Sequence, residues 1–171
     1  MVKGLLDLHR KNIIHHDIKS DNILANPTGQ IEITDFEFST FLTKQEEVCY
    51  DTYGTVCWIA PEKIKKEGCN SKSDVWSLGI FCIELTSGEP PYICEPYVRT
   101  LKNIIDNEPP RLDSTKWSPE FQDFVSKCLR KDQKTRWTSE MLINHPFLAD
   151  ADQLKSTWIA EYQSWKSKTM E

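Results

Sequence analysis

The stretch from residue 15 to residue 22 carries three side chains with different chemistries in one short loop. The carboxylate of Asp17 can accept a hydroxyl proton, the ammonium of Lys19 can offset phosphate charge, and the amide oxygen of Asn22 can ligate Mg²⁺. Thirteen residues after Asn22, Asp35 offers a further oxygen ligand. Each residue alone is common in turns, so the interpretation depends on their combination with the rest of the chain.

A small hairpin is predicted between Asn22 and Asp35. Two short apolar segments, 23–25 and 31–33, flank the turn residues 26–29. Such a hairpin would place Asn22 and Asp35 at the ends of its two strands, facing one cleft. Two oxygen ligands suit Mg²⁺, which binds through one or two side chains together with phosphates. Two solvated turn residues are the alternative that this pattern alone leaves open.

Most of the remaining apolar residues have helical spacing. Residues 75–85 are apolar nearly all round, which predicts a buried helix near 73–87. Amphipathic segments at 2–9, 98–105 and 118–129, and a short segment after Thr138, predict further helices. The fold class is therefore predicted to be α+β, mostly α-helical, with one small hairpin. Residues 38–53 are polar with few periodic apolar positions and predict a loop.

The last residues, 149–171, form a separate amphipathic tail. Its larger apolar side chains, Leu154, Trp158, Tyr162 and Trp165, recur at helical spacing. We favour a helix that folds back as a lid over the helical part of the chain, and a helix that binds a partner is the alternative.

Composition indicates one ordinary globular domain. Of 171 residues, 39% are hydrophobic and 27% charged, and the net charge of −5 argues against a nucleic-acid partner. None of the six cysteines forms a Cys-x-x-Cys pair, which favours reduced, buried thiols over zinc or disulfides. No apolar segment is long enough for a membrane span. We expect a cytoplasmic location, with the nucleus possible.

Further motifs follow the 15–22 stretch in a specific order. They are Asp35-Phe36-Glu37, Gly54-Thr55-Val56-Cys57-Trp58, Ala60-Pro61-Glu62, Asp74-Val75-Trp76-Ser77-Leu78-Gly79 and Arg136. With them, the chain resembles a eukaryotic protein kinase over residues 1–148, as the C-terminal lobe with the N-terminal lobe absent. Segments 18–24, 34–36 and 88–92 look most like the PAK family of serine/threonine kinases.

The resemblance implies a set of site residues and ligands. Asp17, Lys19, Asn22 and Thr55 would be catalytic, with Asn22 and Asp35 as Mg²⁺ ligands. ATP would contact Lys19, Asn22, Asp35 and Leu24, the last forming a floor under the adenine ring. The activity implied is transfer of the ATP γ-phosphate to serine or threonine of a protein substrate.

Other residues would have structural or regulatory roles by the same resemblance. Residues 38–53 would be the activation segment, with Thr52 and Asp51 falling where such kinases carry a regulatory phosphothreonine. Asp74 would hydrogen-bond the backbone of the catalytic loop and hold His15 in place. Glu62 and Arg136 would form an ion pair between the activation segment and the helices.

The sequence departs from the family pattern in three respects. No Gly-rich loop, phosphate-pairing Lys or partner Glu precedes the catalytic loop in these residues, His16 stands where most members have Arg, and Glu37 replaces a Gly. We therefore expect a truncated domain that is inactive alone, with an exposed apolar face around Leu24 and Phe36 that a covering protein partner would bury. A further hypothesis pairs Asp51 with protonated His16.

Two other functions compete with an active kinase. In the first, the lobe is a non-catalytic, pseudokinase-like interaction module, which binding of Mg²⁺–ATP would distinguish. In the second, the chain is a small-molecule phosphotransferase, which would share the His-x-Asp…Asn loop. The phosphotransferase would not explain Ala60-Pro61-Glu62 or Arg136.

Overall fold

A computed structural model describes residues 1–43 and 48–169. The helices are α1 (Val2–Arg10), α2 (Pro61–Lys65), α3 (Lys72–Ser87), α4 (Tyr97–Asp106), α5 (Pro119–Cys128), α6 (Ser139–Leu142) and α7 (Lys155–Thr169). The strands are β1 (Ile13–Ile14), β2 (Ile23–Ala25), β3 (Ile31–Ile33) and β4 (Thr40–Phe41), and short 3-10 turns lie at Ser20–Asn22, Val56–Trp58 and Pro146–Leu148. The predicted class, mostly α-helical with a small hairpin, is confirmed.

Helix α3 is the centre of the hydrophobic core. Every residue from Ser73 to Glu84 is buried, which explains why apolar positions surround the helix instead of forming one stripe. Gly79 allows α5 to approach closely, since a Cβ at this position would lie 2.7 Å from Leu129 Cγ. Gly88, with φ of +84°, ends the helix in the left-handed conformation that glycine adopts without strain.

The outer helices begin where side chains cap them. Ser118 Oγ accepts a hydrogen bond from the Phe121 amide at the start of α5, and Thr138 Oγ1 accepts one from the Met141 amide at the start of α6. Pro119 occupies the first position of α5, where its missing N–H costs nothing. These local signals explain why the predicted helix starts agree with the observed ones.

The predicted hairpin is present, and a second pair of strands accompanies it. Strands β2 and β3 pair antiparallel with Ile23 opposite Ile33. Strand β4 pairs with β1, with Ile13 opposite Phe41, so the prediction of an unstructured loop over 38–53 was wrong at this point. A two-residue strand has too few side chains to show alternation, which explains why the sequence pattern missed it.

A buried ion pair joins α2 to the helices that follow. Arg136 donates from Nη1 to Glu62 Oε1 at 2.6 Å and from Nη2 to Glu62 Oε2 at 2.9 Å. Ser73 Oγ also donates to Glu62 Oε1, and the guanidinium lies over the Trp76 ring. Burial acts to raise the pKa of Glu62, but Arg136 lowers it below its ordinary value. The predicted pair is therefore present as a bidentate contact with further hydrogen bonds.

The tail contains a helix, as predicted, and part of it lies against the hairpin turn. A Cβ on Gly29, in the β2–β3 turn, would meet Ile159 Cγ1 of α7 at 2.8 Å. Lys3 and Asp152 form an exposed ion pair of 2.9 Å just before α7. Trp158 and Trp165 are 37% and 60% exposed. Ile159 of α7 therefore lies against the hairpin turn, and the lid over the helices stays a prediction.

Within residues 1–43 and 48–169, no helix combines the length and apolar character needed to span a membrane.

Candidate active site

The carboxylate of Asp17 lies at the centre of a hydrogen-bonded cluster. Thr55 donates to Asp17 Oδ1 from its amide at 2.9 Å and from its hydroxyl at 2.6 Å. Lys19 Nζ lies 3.0 Å from Asp17 Oδ2 and donates to Thr55 Oγ1 at 2.8 Å. Burial acts to raise the pKa of Asp17, but the hydrogen bonds from Thr55 and Lys19 outweigh it and lower the pKa. The carboxylate is therefore held ionised and fixed in direction.

Asn22 is tied to the same carboxylate. Its Nδ2 donates to the main-chain oxygen of Asp17 at 2.8 Å and to Asp17 Oδ2 at 3.0 Å. Both donors of the amide are thereby directed toward Asp17, so the amide oxygen is the atom left for a ligand. Among the sequence-predicted residues, the structure brings Asp17, Lys19, Asn22 and Thr55 into direct contact.

The fully buried carboxylate of Asp74 holds the loop of residues 15–22 in place through hydrogen bonds. Asp74, at the start of α3, accepts the His15 amide at 2.9 Å and the His16 amide at 2.8 Å. His9 Nε2 donates to the same carboxylate at 3.0 Å. Burial acts to raise the pKa of Asp74, but His9 and the two amides lower it below its ordinary value. The role expected for Asp74 is thus seen directly.

The backbone at Asp35 lies beside the backbone at Asn22. The Thr34 amide donates to the main-chain oxygen of Asn22 at 2.9 Å, and Asp35 is the next residue. His15 Nε2 donates to the Thr34 main-chain oxygen at 2.9 Å, and its ring contacts Phe36 edge-on. The side chains of Asn22 and Asp35 therefore start from adjacent backbone positions, although a direct contact between them is not seen.

The Glu37 replacement causes no backbone strain. In the triplet Asp35-Phe36-Glu37 the only positive φ, +61°, is at Asp35. The Glu37 amide donates to Asp35 Oδ1 at 3.4 Å, and both side chains are exposed. Since glycine is needed only where φ is positive, Glu37 is tolerated at this position.

Directly after the predicted activation segment, the backbone at Gly54 lies close to the loop of residues 15–22. A Cβ at this position, where φ is +127°, would lie 2.7 Å from the main-chain oxygen of His16. Only glycine fits this conformation and spacing. Gly54 thus allows the next residue, Thr55, to reach Asp17.

The proposed pairing of Asp51 with His16 is wrong. Asp51 Oδ2 accepts a hydrogen bond from Thr40 Oγ1 at 2.8 Å. His16 Nδ1 instead accepts one from Lys63 Nζ at 2.9 Å, and His16 has a φ of +71°. Lys63 also donates to the main-chain oxygen of Tyr53. Lys63 is in α2, 47 positions after His16, so sequence spacing could not show that its ammonium contacts His16 Nδ1.

An apolar face is exposed next to these polar groups. Leu24 is 54% exposed and Phe36 is 44% exposed, as the sequence predicted. Ile31 is also exposed, but it lies on the opposite face of the hairpin from Leu24, because Leu24 is opposite Glu32 and Ile31 is opposite Ala25. The predicted contact of Leu24 with an adenine ring stays a prediction, but the residue lies on an open surface where a flat ring could pack.

The chain is similar to known proteins over most of its length. A model described as the protein kinase domain matches residues 1–148. The chain belongs to the protein kinase family. Serine/threonine-protein kinase pakB of Dictyostelium discoideum is 44% identical over 151 residues, which cover 88% of this chain and 18% of that protein. Human serine/threonine-protein kinase PAK 4 is 41% identical over 152 residues, covering 88% of this chain and 26% of that protein.

The predicted resemblance to PAK-family kinases is thereby confirmed. Serine/threonine-protein kinase pakH of Dictyostelium discoideum is 46% identical over 152 residues, covering 86% of this chain and 29% of that protein. The chain spans less than a third of the length of these three relatives.

The donor atoms of this kinase lobe fit the family's Mg²⁺. The amide oxygen of Asn22 and the carboxylate of Asp35 are hard oxygen ligands, which Mg²⁺ prefers. Neither residue is a thiol or imidazole, which would favour zinc. Two side chains are also the number that Mg²⁺ commonly takes when phosphates supply further ligands.

Glu84, which the sequence motifs did not reveal, supports the loop of residues 15–22 through Ser20. Trp58 Nε1 donates to Glu84 Oε2 at 3.0 Å, and both the amide and the hydroxyl of Ser20 donate to the same carboxylate. The available signal was a single acidic residue within the apolar run of α3, since a buried charge requires partners.

Proposed function

We propose that the chain carries the catalytic base and the metal ligands of a serine/threonine protein kinase. The observation that supports this most strongly is the Asp17 carboxylate, which Thr55 and Lys19 hold in one orientation. A carboxylate fixed in this way fits the task of receiving a proton from a substrate hydroxyl.

The neighbours of Asp17 each have a defined task in this proposal. The hydroxyl and amide of Thr55 occupy one carboxylate oxygen, Oδ1. The other, Oδ2, lies against Lys19 and Asn22 and is oriented by them. Lys19 carries a positive charge beside the point of transfer, where it would offset negative charge on the γ-phosphate. Its contact with Thr55 links the activation segment to that charge.

Asn22 and Asp35 would hold Mg²⁺, and Leu24 would contact the adenine of ATP. When bound, Mg²⁺ neutralises charge on the phosphates. The residues of this chain would position the nucleotide from one side only, because Leu24 and Phe36 are exposed. We therefore propose weak nucleotide affinity and no useful transfer to protein substrates by these 171 residues alone.

A second candidate function is a non-catalytic interaction module. The observation that favours it is the exposure of the apolar side chains Leu24 and Phe36, which a protein partner could cover. The two candidates differ in whether the carboxylate of Asp35 serves a metal–nucleotide complex.

Titration with Mg²⁺–ATP distinguishes the two candidates. Calorimetry on the 171-residue chain should show weak binding of ATP that requires Mg²⁺. Asp35→Asn should weaken this binding by roughly tenfold or more, since it removes a charged ligand. Asp21→Asn is the matched control, because Asp21 is exposed and adjacent to Asn22 but has no role in the proposal.

Asp17→Ala adds a second control for the kinase proposal. It should leave Mg²⁺–ATP affinity nearly unchanged, because Asn22 keeps its bond to the main-chain oxygen of residue 17. Folded protein that shows no Mg²⁺-dependent ATP binding would favour the interaction module. Equal losses in Asp35→Asn and Asp21→Asn would remove the assignment of Asp35.

A further inference from the structure

Two cysteines that are 20 positions apart in the sequence, Cys49 and Cys69, face each other in the structure. Cys49 lies in the activation segment, and Cys69 lies in the loop between α2 and α3. The Cys49 amide donates to the Cys69 oxygen at 2.8 Å, and the Cys69 amide donates to the Cys49 oxygen at 2.7 Å. This exchange defines a hydrogen-bonded antiparallel pair, in which Cα atoms lie about 5.5 Å apart. That spacing is within the range of about 4.4–6.8 Å found for disulfides.

The two side chains point at each other. The distance from Cys49 Sγ to Cys69 Sγ is 2.8 Å. The bond length of a disulfide is about 2.05 Å, so a small movement of the side chains is enough to join them. The two backbone hydrogen bonds already hold Cys49 and Cys69 at a separation from which a disulfide can form.

The surroundings favour a reactive thiolate at Cys49. Its Sγ lies 3.8 Å from His16 Nε2, and the buried ammonium of Lys63 contacts the other nitrogen of that ring. The hydrogen bond from Cys69 lowers the pKa of Cys49 despite partial burial, and His16 acts in the same direction. The main-chain oxygen of Asp51 lies 3.7 Å from Cys69 Sγ.

Accessibility also separates the two thiols. Cys49 is of intermediate exposure and lies between the exposed residues Val48 and Tyr50. Cys69 is only 1% exposed, and its hydrogen bond to Cys49 and its burial raise its pKa. Cys49 is therefore the thiol that reacts first, and Cys69 is the thiol that resolves the product.

We propose that Cys49 and Cys69 are a modification site, a dithiol that closes to an intrachain disulfide when a peroxide oxidises it. The site does not depend on nucleotide binding, and none of the proposed catalytic residues takes part in its chemistry.

The reaction balances with hydrogen peroxide as the oxidant. The Cys49 thiolate attacks one peroxide oxygen, so the O–O bond breaks, an S–O bond forms and hydroxide leaves. Cys69 then attacks the sulfur of the Cys49 sulfenic acid, the S–O bond breaks, and the S–S bond forms. The leaving hydroxide takes the Cys69 proton as water. The first hydroxide takes the proton that Cys49 gave up, so two thiols lose two electrons and peroxide becomes two waters.

A zinc ion is the competing occupant of the same cluster. His16, Cys49 and Cys69 offer three ligand atoms within 4.8 Å of one another. Two thiolates bound to tetrahedral zinc at about 2.3 Å lie about 3.8 Å apart, which exceeds the 2.8 Å between these sulfurs. The Lys63 ammonium on His16 also opposes a cation. The geometry thus favours the disulfide.

Closure would fix the activation segment in its observed position. The ring from residue 49 to residue 69 contains Thr52, Gly54 and Thr55, and Thr55 holds the Asp17 carboxylate. Oxidation should raise the melting temperature by roughly 5–10 °C, because it constrains a loop of about 20 residues in the unfolded chain. It should also slow proteolysis near residues 48–55.

Peptide mapping after oxidation tests the proposal on the unaltered chain. The 171-residue protein is treated with a small excess of hydrogen peroxide, its remaining thiols are blocked with N-ethylmaleimide, and non-reducing digests are analysed by mass spectrometry. We expect a peptide that joins Cys49 to Cys69 with two hydrogens lost and that dithiothreitol separates. The buried thiols Cys57, Cys82 and Cys128 should stay reduced.

Cysteine-to-serine variants show which two thiols form the linkage. Cys94→Ser removes the exposed cysteine and should leave both the linked peptide and the rise in melting temperature intact. Cys49→Ser and Cys69→Ser should each abolish both. The proposal is overturned if oxidised wild-type protein keeps both thiols open to N-ethylmaleimide, or if Cys49 links only to Cys94 of another molecule. It is also overturned if one equivalent of zinc binds through both cysteines and prevents closure.

Discussion

Three buried carboxylates, Asp17, Glu62 and Asp74, connect the catalytic loop, the activation segment and the helices. Each has a lowered pKa although burial alone would raise it, because donors surround it. Since a buried charge without partners is costly, these groups specify where the loops lie as well as stabilising them. Removing a donor to one of these carboxylates should therefore lower the free energy of unfolding by more than the loss of an exposed hydrogen bond does.

Thr55→Val tests how much stability is lost when the Asp17 carboxylate loses a donor. Loss of the hydroxyl removes the bond to Asp17 Oδ1 and the contact with Lys19. The free energy of unfolding at pH 7 should fall by about 1–3 kcal/mol, because the carboxylate loses a donor that its burial requires. Urea unfolding followed by circular dichroism measures the change, and Thr55→Ser, which keeps a hydroxyl, is the control.

The same pair of variants has a predicted pH dependence. The folded-state pKa of Asp17 is lowered, so its contribution to stability is full above the unfolded value of about 3.9. That contribution is lost as the pH falls through the folded value. The difference between wild type and Thr55→Val should therefore shrink below about pH 4. A difference that stays constant down to pH 2 would show that Thr55 acts through packing alone.

At the scale of elements, α3 determines where the other helices and the loops can be. Its first turn supplies Asp74 to the catalytic loop, and its last turns supply Glu84 to Ser20 and Trp58. Its middle packs against α5 at Gly79. One buried helix thus positions the site and forms the core at the same time.

Gly79→Ala tests the close approach of α3 and α5. Alanine favours a helix over glycine by about 1 kcal/mol. The new Cβ would nevertheless lie 2.7 Å from Leu129 Cγ and 2.8 Å from Cys128 Cβ, and such overpacking typically costs about 1–3 kcal/mol. We expect a net loss of stability of about 1 kcal/mol in urea unfolding.

A matched control for Gly79→Ala lies in α1. Gly4→Ala places a Cβ 3.4 Å from Ile33 Cδ1, which is close to an ordinary contact, so this variant should be neutral or slightly stabilised. If Gly79→Ala were as stable as Gly4→Ala, the packing of α3 on α5 would not require glycine.

The sequence predicted the elements whose signals are local. The caps at Ser118 and Thr138, the apolar run of α3 and the turn of the β2–β3 hairpin all lie within a few residues of the structure that they specify. The contacts of Lys63 with His16 and of Cys49 with Cys69 join residues 47 and 20 positions apart. Only the folded chain brings them together, so neither spacing nor periodicity could reveal them.

At the scale of the whole molecule, we propose that both ends of the β2–β3 hairpin meet at one metal–nucleotide site. The observed basis is the hydrogen bond from the Thr34 amide to Asn22, which places Asp35 beside the catalytic loop. If Asn22 and Asp35 hold the metal, a paramagnetic ion bound with ATP must lie near both segments and far from α5.

Paramagnetic broadening by Mn²⁺–ATP in nuclear magnetic resonance spectra of the isotope-labelled chain measures this directly. We predict that the amide signals of residues 15–24 and 34–37 broaden together, that those of α5 do not, and that Asp35→Asn suppresses the effect while Asp21→Asn leaves it intact. Broadening that is confined to the exposed acids Asp150 and Asp152, or that centres on His16, Cys49 and Cys69, would contradict the account.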